Sequence, residues 1–549
     1  MKRYTKRAGI LMIVCSVLAI IFWGHRELKK RGAEDQKIYT AFFAAYEEQL
    51  SDSNRVQERI AEYTGAKVEM EFASGDEAKD RIRRMIAEKD YPDFLDGGDY
   101  LSVFLDAEAF VPIETYLEDY PNIMSFLTEE EWDKLRMEDG HIYFIPQFRS
   151  NCSEITEREY RGQAFWIQKA VLEWAGYPRI KTLDQYFKII EEYQKANPVI
   201  EGKRTIGFQI LCDSESDFNL DNPPQLLAGY PNDGCAIVDP LTKQAHLYDF
   251  ISEAKYYYRK LNETYHKGLI FAETFVSSRQ EYLDNIQSGC VLGMFEDSFQ
   301  FKQAQDELYK NWKDERTYVP LALTIDAEEE PHYYSKENIN LSNAIGISVN
   351  CQDVRGALQF INDLLEPDIM TLRFWGEENV DYHIEKDGRF YRDSRQRENM
   401  SSEEWLAGNY CTYLHFPHYD GKLPDGINYV EPKEQTREFN HDLSEYDKSF
   451  LSKYDYTTWL SFLNKPAEEN TKWFPLSRNI LIFSTNSWGS QTENQIEKLH
   501  RAWLPKLIMT EPDRFEEMWF KYETIFNKEI DVIKYEQYLT SEVLRICQK

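Results

Sequence analysis

The feature that most constrains the fold is a regular alternation of strand-like and helix-like segments near the start of the chain. The strand-like runs, which are apolar or alternate between apolar and polar residues, are residues 37–44, 67–72 and 92–96. The helix-like runs between them are residues 54–64, which stop at Gly65, and residues 74–86, which open with a Ser74-to-Glu77 capping box. Repetition of this kind predicts a parallel sheet that binds ligands beyond the carboxyl ends of its strands.

The chain is too long for one such unit. With 549 residues, it exceeds the size at which a single hydrophobic core stops growing, so two or more domains are expected. Residues 139–148 combine an Asp-Gly turn and an apolar run, which predict a short hairpin or strand, with a proline that forces an extended exit. We interpret this segment as a crossing between two α/β lobes that close on a ligand.

Charge and cysteine content exclude several classes of protein. The formal net charge is −31, which repels phosphate backbones, so we expect no nucleic-acid partner. The eight cysteines lack the spacing of a zinc site or a dense disulfide scaffold, although one or two isolated disulfides stay open. No P-loop, dinucleotide fingerprint, zinc-protease motif or calcium loop occurs, so no metal and no cofactor are expected.

The N-terminus predicts a membrane anchor. Lys2, Arg3, Lys6 and Arg7 precede an uncharged apolar run from Ala8 to Gly24. Cys15 lies inside this run without a small residue before it, so lipidation is not expected, and no cleavage pattern follows the run. We therefore predict an uncleaved signal-anchor within residues 1–33.

Several stretches, taken in order, resemble the extracellular solute-binding proteins of bacterial ABC importers, and in particular the sugar-type receptors that include maltose-binding protein. They are TGAKVE, FVPIETYLEDYPN, DGHIYFIPQF, AFWIQKAVLEWAGYPRIKTLDQYFKII, with a Thr182-to-Gln185 capping box, and LSNAIGISVNCQDVRGALQFINDLLEP. The resemblance implies the α/β, two-lobed type II periplasmic-binding fold with a hinge. The stretch Cys411 to Pro475 resembles nothing in this family.

The resemblance also implies boundaries. Residues 36–147 and 325–368 would form the first lobe, and residues 148–322 and 370–549 the second lobe, with a helical C-terminal extension. The implied function is uptake of a carbohydrate by hinge closure, with ABC permease subunits as membrane partners. The protein would be a monomer at the cell membrane, anchored by its N-terminus, with the large domain extracellular.

The candidate ligand-binding residues combine aromatic rings, which can pack on the C–H face of a pyranose, with polar groups that pair with hydroxyls. Phe299 is the best match to the family's stacking loop. The full set is Trp375, Phe299, Asp297, Glu296, Trp166, Asp96, Asp99, Tyr46, Gln147 and Glu377. Of these, Trp375 is predicted to be a stacking platform at a cleft edge, because Gly376 ends its helix.

Three other functions stay open. A ligand-sensing partner of a membrane kinase would use the same fold, and a receptor for peptides would need no aromatic platform. A glycoside-acting enzyme would need two carboxyl groups roughly 5 to 10 Å apart. Adjacent carboxylates are expected by chance in so acidic a chain, so we predict that the protein is not an enzyme.

Overall fold

The structure, a computed structural model, describes residues 36–45, 50–137, 139–150, 157–212, 218–234, 236–335, 343–463, 472–476 and 487–548. The predicted anchor and Tyr46 lie outside these residues. No helix among the described residues is both long enough and apolar enough to cross a membrane.

The described strands are β1 Lys37–Phe43, β2 Ala66–Phe72, β3 Phe94–Asp96, β4 Phe144–Pro146, β5 Phe148–Ser150, β6 Gln163–Gln168, β7 Val199–Ile200, β8 Lys203–Arg204, β9 Ile237–Val238, β10 Ala245–His246, β11 Gly293–Asp297, β12 Tyr318–Leu321, β13 Ala344–Ile347, β14 His383–Ile384, β15 Phe390–Tyr391 and β16 His418–Asp420. The described α-helices are α1 Arg55–Thr64, α2 Gly75–Glu88, α3 Leu101–Asp106, α4 Pro121–Phe126, α5 Glu129–Lys134, α6 Lys169–Trp174, α7 Leu183–Ala196, α8 Phe218–Asp221, α9 Pro223–Leu227, α10 Ser252–His266, α11 Arg279–Gln287, α12 Ser298–Lys310, α13 Val354–Leu364, α14 Pro367–Trp375, α15 Ser394–Met400, α16 Glu403–Asn409, α17 Thr436–Asp442, α18 Glu445–Tyr454, α19 Trp488–Met509, α20 Phe515–Glu529 and α21 Val532–Gln548.

A five-stranded sheet organises the first lobe, in the order β2-β1-β3-β13-β4. β1 pairs in parallel with β2 and β3, as the alternation predicts, whereas β13 runs antiparallel between β3 and β4. The Asn54 side chain caps the start of α1, and Gly65 ends that helix with a φ of 72°. Ser74 precedes α2, but its side chain makes no capping hydrogen bond, so the capping box predicted there does not form.

The second lobe is built on the sheet β11-β6-β12, in which both outer strands run antiparallel to β6. α7 begins with the predicted capping box, because Thr182 and Gln185 satisfy each other's backbone N–H groups. The C-terminal helices α19, α20 and α21 bury apolar residues in the same core as this sheet. The end of the chain is therefore part of the second lobe.

The two hydrophobic cores divide the chain at a different place from the predicted boundary. Trp375, Tyr382, Phe416 and Val430 lie in the core of the first lobe, and the core of the second lobe takes up the chain again at Phe439. The prediction that residues after 370 belong to the second lobe is corrected for residues 370–430. The apolar side chains of this segment cover the first sheet, so the chain leaves that lobe only after Val430.

Candidate functional site

Three segments connect the lobes, and they contact one another. The first runs from Gln147 to Gln163, the second from 322 to 343, and the third from 430 to 436. The Tyr160 hydroxyl donates to the Tyr333 carbonyl at 2.6 Å, which joins the first and second crossings. Arg158 Nε donates to the Glu434 carbonyl at 2.7 Å, which joins the first and third. The sheet ends beside these crossings form the walls of the candidate site.

The first-lobe wall lies at the carboxyl ends of β1, β2 and β3. Asp96 ends β3, and its carboxylate accepts hydrogen bonds from the Gly98 N–H at 2.8 Å and from the Gln147 side chain. The His415 ring packs 5.0 Å from the Phe43 ring, and its Nδ1 is 3.9 Å from the Asp96 carboxylate. Asp96 and Gln147 are 3% and 5% exposed, so they support this wall from beneath.

The second-lobe wall contains an exposed aromatic ring. β11 ends at Asp297, which is half-buried, and α12 follows with Phe299 in its first turn. The Ser298 N–H donates to the Arg161 carbonyl at 3.3 Å, so this turn lies against the first crossing. Phe299 is 62% exposed, which leaves its ring available to a ligand.

Glu296 lies behind this turn and is fully buried. Its carboxyl group accepts hydrogen bonds from the Asn219 side chain at 2.9 Å and from the Asp297 N–H at 3.0 Å. Burial raises the pKa of Glu296 to about 8, so the group is mostly protonated at neutral pH. Glu296 therefore holds neighbouring groups in place and does not face a ligand itself, which corrects its assignment as a contact residue.

Side-chain amides gather at the start of β6. The Gln163 oxygen accepts hydrogen bonds from the Asn222 and Asn232 amides at 2.9 and 3.0 Å. The Asn222 oxygen in turn accepts from the Tyr248 hydroxyl at 2.9 Å. α8 and the residue that follows it thus connect the wall to the interior of the second lobe.

Carboxyl groups line the crossings themselves. Glu157 accepts a hydrogen bond from the Tyr334 hydroxyl at 2.7 Å, and Glu431 forms a 3.2 Å ion pair with Arg161. Burial, together with neighbouring carboxylates, raises the pKa of Asp420 to about 7 and that of Glu434 to about 9. These crossings therefore carry bound protons at neutral pH.

Two predicted stacking residues are in the hydrophobic cores. Trp375 is 0% exposed, its Nε1 donates to the Tyr429 carbonyl at 2.9 Å, and its ring meets Tyr382 and Phe390 edge-on. Trp166 is 4% exposed and donates to the Glu296 carbonyl at 2.7 Å. The prediction that Trp375 and Trp166 are ligand platforms is therefore wrong. Gly376 does end α14, but Tyr382, just before β14, and Phe390 on β15 cover the tryptophan.

Among the remaining predicted residues, Glu377 is engaged within the first lobe. Its carboxylate pairs with Arg55 at 3.0 Å, and the same guanidinium binds Asp381 at 2.7 Å. Asp99 lies in a short 3₁₀ turn after β3, and its side chain is not among those described. Tyr46 is outside the described residues.

Sequence patterns do not reveal the loop Cys411 to His418, which forms an exposed part of the first-lobe wall. Leu414 in this loop is 42% exposed, and the His415 side chain is 17% exposed. The loop falls in the stretch that resembled nothing, and no local pattern indicates that it returns to the ends of β1 to β3. The amides on and after α8 were also missed, because single asparagines carry no periodic signal.

Together the two walls present an exposed phenylalanine, an exposed leucine, an imidazole, amides and carboxyl groups. This combination suits a ligand that has both hydroxyl groups and apolar C–H faces. Within the described ranges, no group of three or more His, Cys, Asp or Glu side chains could hold a metal ion.

The fold is that of the substrate-binding proteins of ABC transporters, which confirms the resemblance. An EF-hand mutant of the ABC-transporter substrate-binding protein FusA of Streptococcus pneumoniae, in complex with fructo-nystose, matches with a TM-score of 0.64 at 14% identity, over 93% of this chain and 99% of that one. A solute-binding protein for human milk oligosaccharides from Bifidobacterium longum infantis matches with a TM-score of 0.60 at 14% identity, over 93% and 99% of the two chains. The alginate-binding protein AlgQ2 matches with a TM-score of 0.60 at 13% identity, over 93% of this chain and 98% of that one.

In sequence, the chain is 26% identical over 245 residues to the "Fructooligosaccharide ABC transporter substrate-binding protein FusA" of Streptococcus pneumoniae serotype 4. The match covers 42% of this chain and 43% of that protein, so the chain spans less than half the length of the curated relative it matches. No family model matches the chain.

Proposed function

We propose that this protein is the extracellular substrate-binding protein of an ABC importer and that its ligand is an oligosaccharide. The two lobes would close on the ligand about the three crossings, and the permease would recognise the closed form. The substrate classes in the names of its relatives, which are fructooligosaccharides, alginate and milk oligosaccharides, define the range of ligands to be considered.

The observation that carries this proposal is the position of Phe299 in a fold of this kind. A phenylalanine that is 62% exposed beside an inter-lobe crossing leaves most of its surface accessible, and it offers the apolar face that a pyranose or furanose ring needs. Amides at the start of β6 and the His415 imidazole on the opposite wall supply hydrogen-bonding groups. Stacking would provide contact area, while the polar groups would orient the sugar.

The test is a binding panel on the soluble part of the protein, starting near residue 34. Kestose, nystose, alginate oligomers, milk oligosaccharides and N-glycan fragments would be compared by thermal shift and then by calorimetry. We expect one class to raise the melting temperature and to reduce the radius of gyration in X-ray scattering. Binding of peptides with no response to any glycan would contradict the proposal.

We also propose that residues 1–33 anchor the protein in the membrane with the large domain outside. The support is the sequence pattern of basic residues followed by the run Ala8 to Gly24. The intact mass of protein extracted from membranes should include these residues and no lipid adduct. A mature chain beginning with a lipidated cysteine would contradict the anchor without affecting the proposed ligand.

A further inference from the structure

Arg373 in α14 is fully buried, and the hydrogen bonds of its guanidinium go to backbone carbonyls, apart from a 3.9 Å contact from Nη1 to the Met370 sulfur. Each of the five N–H groups has an acceptor within 3.1 Å. The acceptors are Thr412 at 2.8 Å from Nε, Leu364 at 3.0 Å and Pro417 at 2.8 Å from Nη1, and Tyr413 at 2.8 Å and Phe416 at 3.1 Å from Nη2. Four of the five carbonyls belong to the loop that carries Leu414 and His415.

No carboxylate pairs with this guanidinium in the part of the chain that the structure describes. Burial lowers the pKa of Arg373 to about 9, so the group is still a cation at neutral pH. A buried cation is costly unless its hydrogen bonds are satisfied, and here carbonyl dipoles replace water and counter-ion. The loop and the arginine therefore depend on each other.

The loop is also strained where the arginine holds it. Tyr413 has a φ of 47°, in the left-handed region that an aromatic residue rarely adopts. Its ring is buried and meets Phe360 and Phe416 edge-on. Such a conformation persists only when its surroundings fix it, and the bond from Arg373 to the Tyr413 carbonyl is one of the contacts that do so.

The strained turn determines what the next two residues present. Leu414 follows Tyr413 and is 42% exposed, and His415 then packs against Phe43 with its Nδ1 3.9 Å from Asp96. At the end of the loop, the His418 N–H donates to the Gln147 carbonyl at 2.8 Å, at the start of the first crossing. The loop is thus fixed at its back by Arg373 and at its end by the crossing.

We propose that Arg373 is a positioning residue for ligand binding: it pre-forms the loop 411–418, so that Leu414 and His415 meet the ligand without a cost of ordering the loop. This inference rests on the proposed function, since it assumes that the ligand lies between the two walls. Arginine is required because its planar fork supplies five donors, whereas lysine supplies three from a single point.

The test compares Arg373→Lys with Trp375→Leu. The control residue lies on the same helix and is equally buried, but the hydrogen bond of its Nε1 goes to Tyr429, outside the loop. Calorimetry with the glycan that binds the wild type, at a temperature where both variants are folded, should show affinity at least about tenfold weaker for Arg373→Lys. Affinity per folded molecule should be unchanged for Trp375→Leu. Hydrogen exchange in residues 411–418 should accelerate only in Arg373→Lys.

Unchanged affinity in a folded Arg373→Lys variant would overturn the inference, as would equal losses in both variants. If the lysine variant does not fold, wild-type hydrogen exchange decides. The amides of residues 411–418 should exchange more slowly than those of the equally irregular segment 423–428, and glycan should slow them further. Rapid exchange in 411–418 that does not change when glycan is added would overturn the inference. A wild type that binds no glycan would instead contradict the proposed function.

Discussion

In the first lobe the buried cation Arg373 is surrounded by backbone carbonyls, whereas in the second lobe Lys169 and His500 are buried against carboxylates. Lys169 contacts Asp447 at 2.5 Å, and His500 lies between Asp221 and Asp249. In both lobes the contact joins segments that are distant in sequence. A carbonyl does not titrate and is not removed by a side-chain substitution. The difference therefore predicts that the stability of the second lobe depends on charge and pH more than the stability of the first lobe does.

The largest effect is expected for Lys169→Met. The substitution leaves the Asp447 carboxylate, only 3% exposed, without its cation, so the second lobe should lose about 3–5 kcal/mol of stability. Urea unfolding followed by tryptophan fluorescence measures this, because Trp459 lies 4.2 Å from the Lys169 amine. The double variant Lys169→Met/Asp447→Leu should recover most of the loss, and no recovery would show that packing matters more than the charge pair.

A second effect concerns the pH dependence of the second lobe. The neighbouring aspartates raise the pKa of His500 to about 10 despite its burial. Because the folded-state pKa lies above the unfolded value of about 6.5, the stabilisation is complete below pH 6.5 and is lost as the pH rises towards 10. The loss should be roughly 2–4 kcal/mol. Burial also raises the pKa of Glu493 nearby to about 7, so the stability that this group contributes is lost over a lower range, as the pH rises from about 4 to 7.

Unfolding of wild type and His500→Gln between pH 6 and 10 checks this expectation. The groups that face His500 are Asp221 on α8, Asp249 before α10, and Glu493 and Glu497 on α19. The free energy of unfolding of the wild type should approach that of the variant as the pH rises. If the free energies of unfolding of the two proteins change with pH in parallel, the imidazolium of His500 is not the group that titrates.

A smaller effect is expected at the crossings. The pKa of Glu434 is raised to about 9, so the folded state holds a proton that the unfolded state releases near pH 4.3. Stability from this group is present at low pH and is lost as the pH rises from about 4 to 9. Glu434→Gln should therefore raise the melting temperature by about 2–4 °C at pH 8 and leave it unchanged at pH 4. Glu445→Gln, at a carboxylate that is 91% exposed, is the control.

The smallest effect on stability is expected for Phe299→Ala. The residue is 62% exposed, so the free energy of unfolding should change by no more than about 0.5 kcal/mol. Glycan affinity should nevertheless fall by about tenfold or more, since a ring stacked in an interface dominates binding. A large fall in melting temperature together with unchanged affinity would place Phe299 with Trp375, as a residue of the core.

Local signals predicted the ends of helices in both lobes. Asn54 and Gly65 delimit α1 because a side-chain cap and a left-handed terminus need only neighbouring residues. Thr182 and Gln185 start α7 for the same reason. At Ser74 the same pattern marks the start of α2 without forming its hydrogen bonds, so the pattern gives the position of a helix end more reliably than its contacts.

The sequence by itself determined the α/β class and the crossing after β4. Both depend on periodicity or on a turn within a few residues, whereas the exposure of Phe299 is read from the structure. Only the tertiary structure decided that residues 370–430 stay with the first lobe, that Tyr382 and Phe390 cover Trp375, and that the loop 411–418 reaches the ends of β1 to β3. These facts depend on which apolar surfaces meet, and contacts between residues tens to hundreds of positions apart leave no periodic trace in a single sequence.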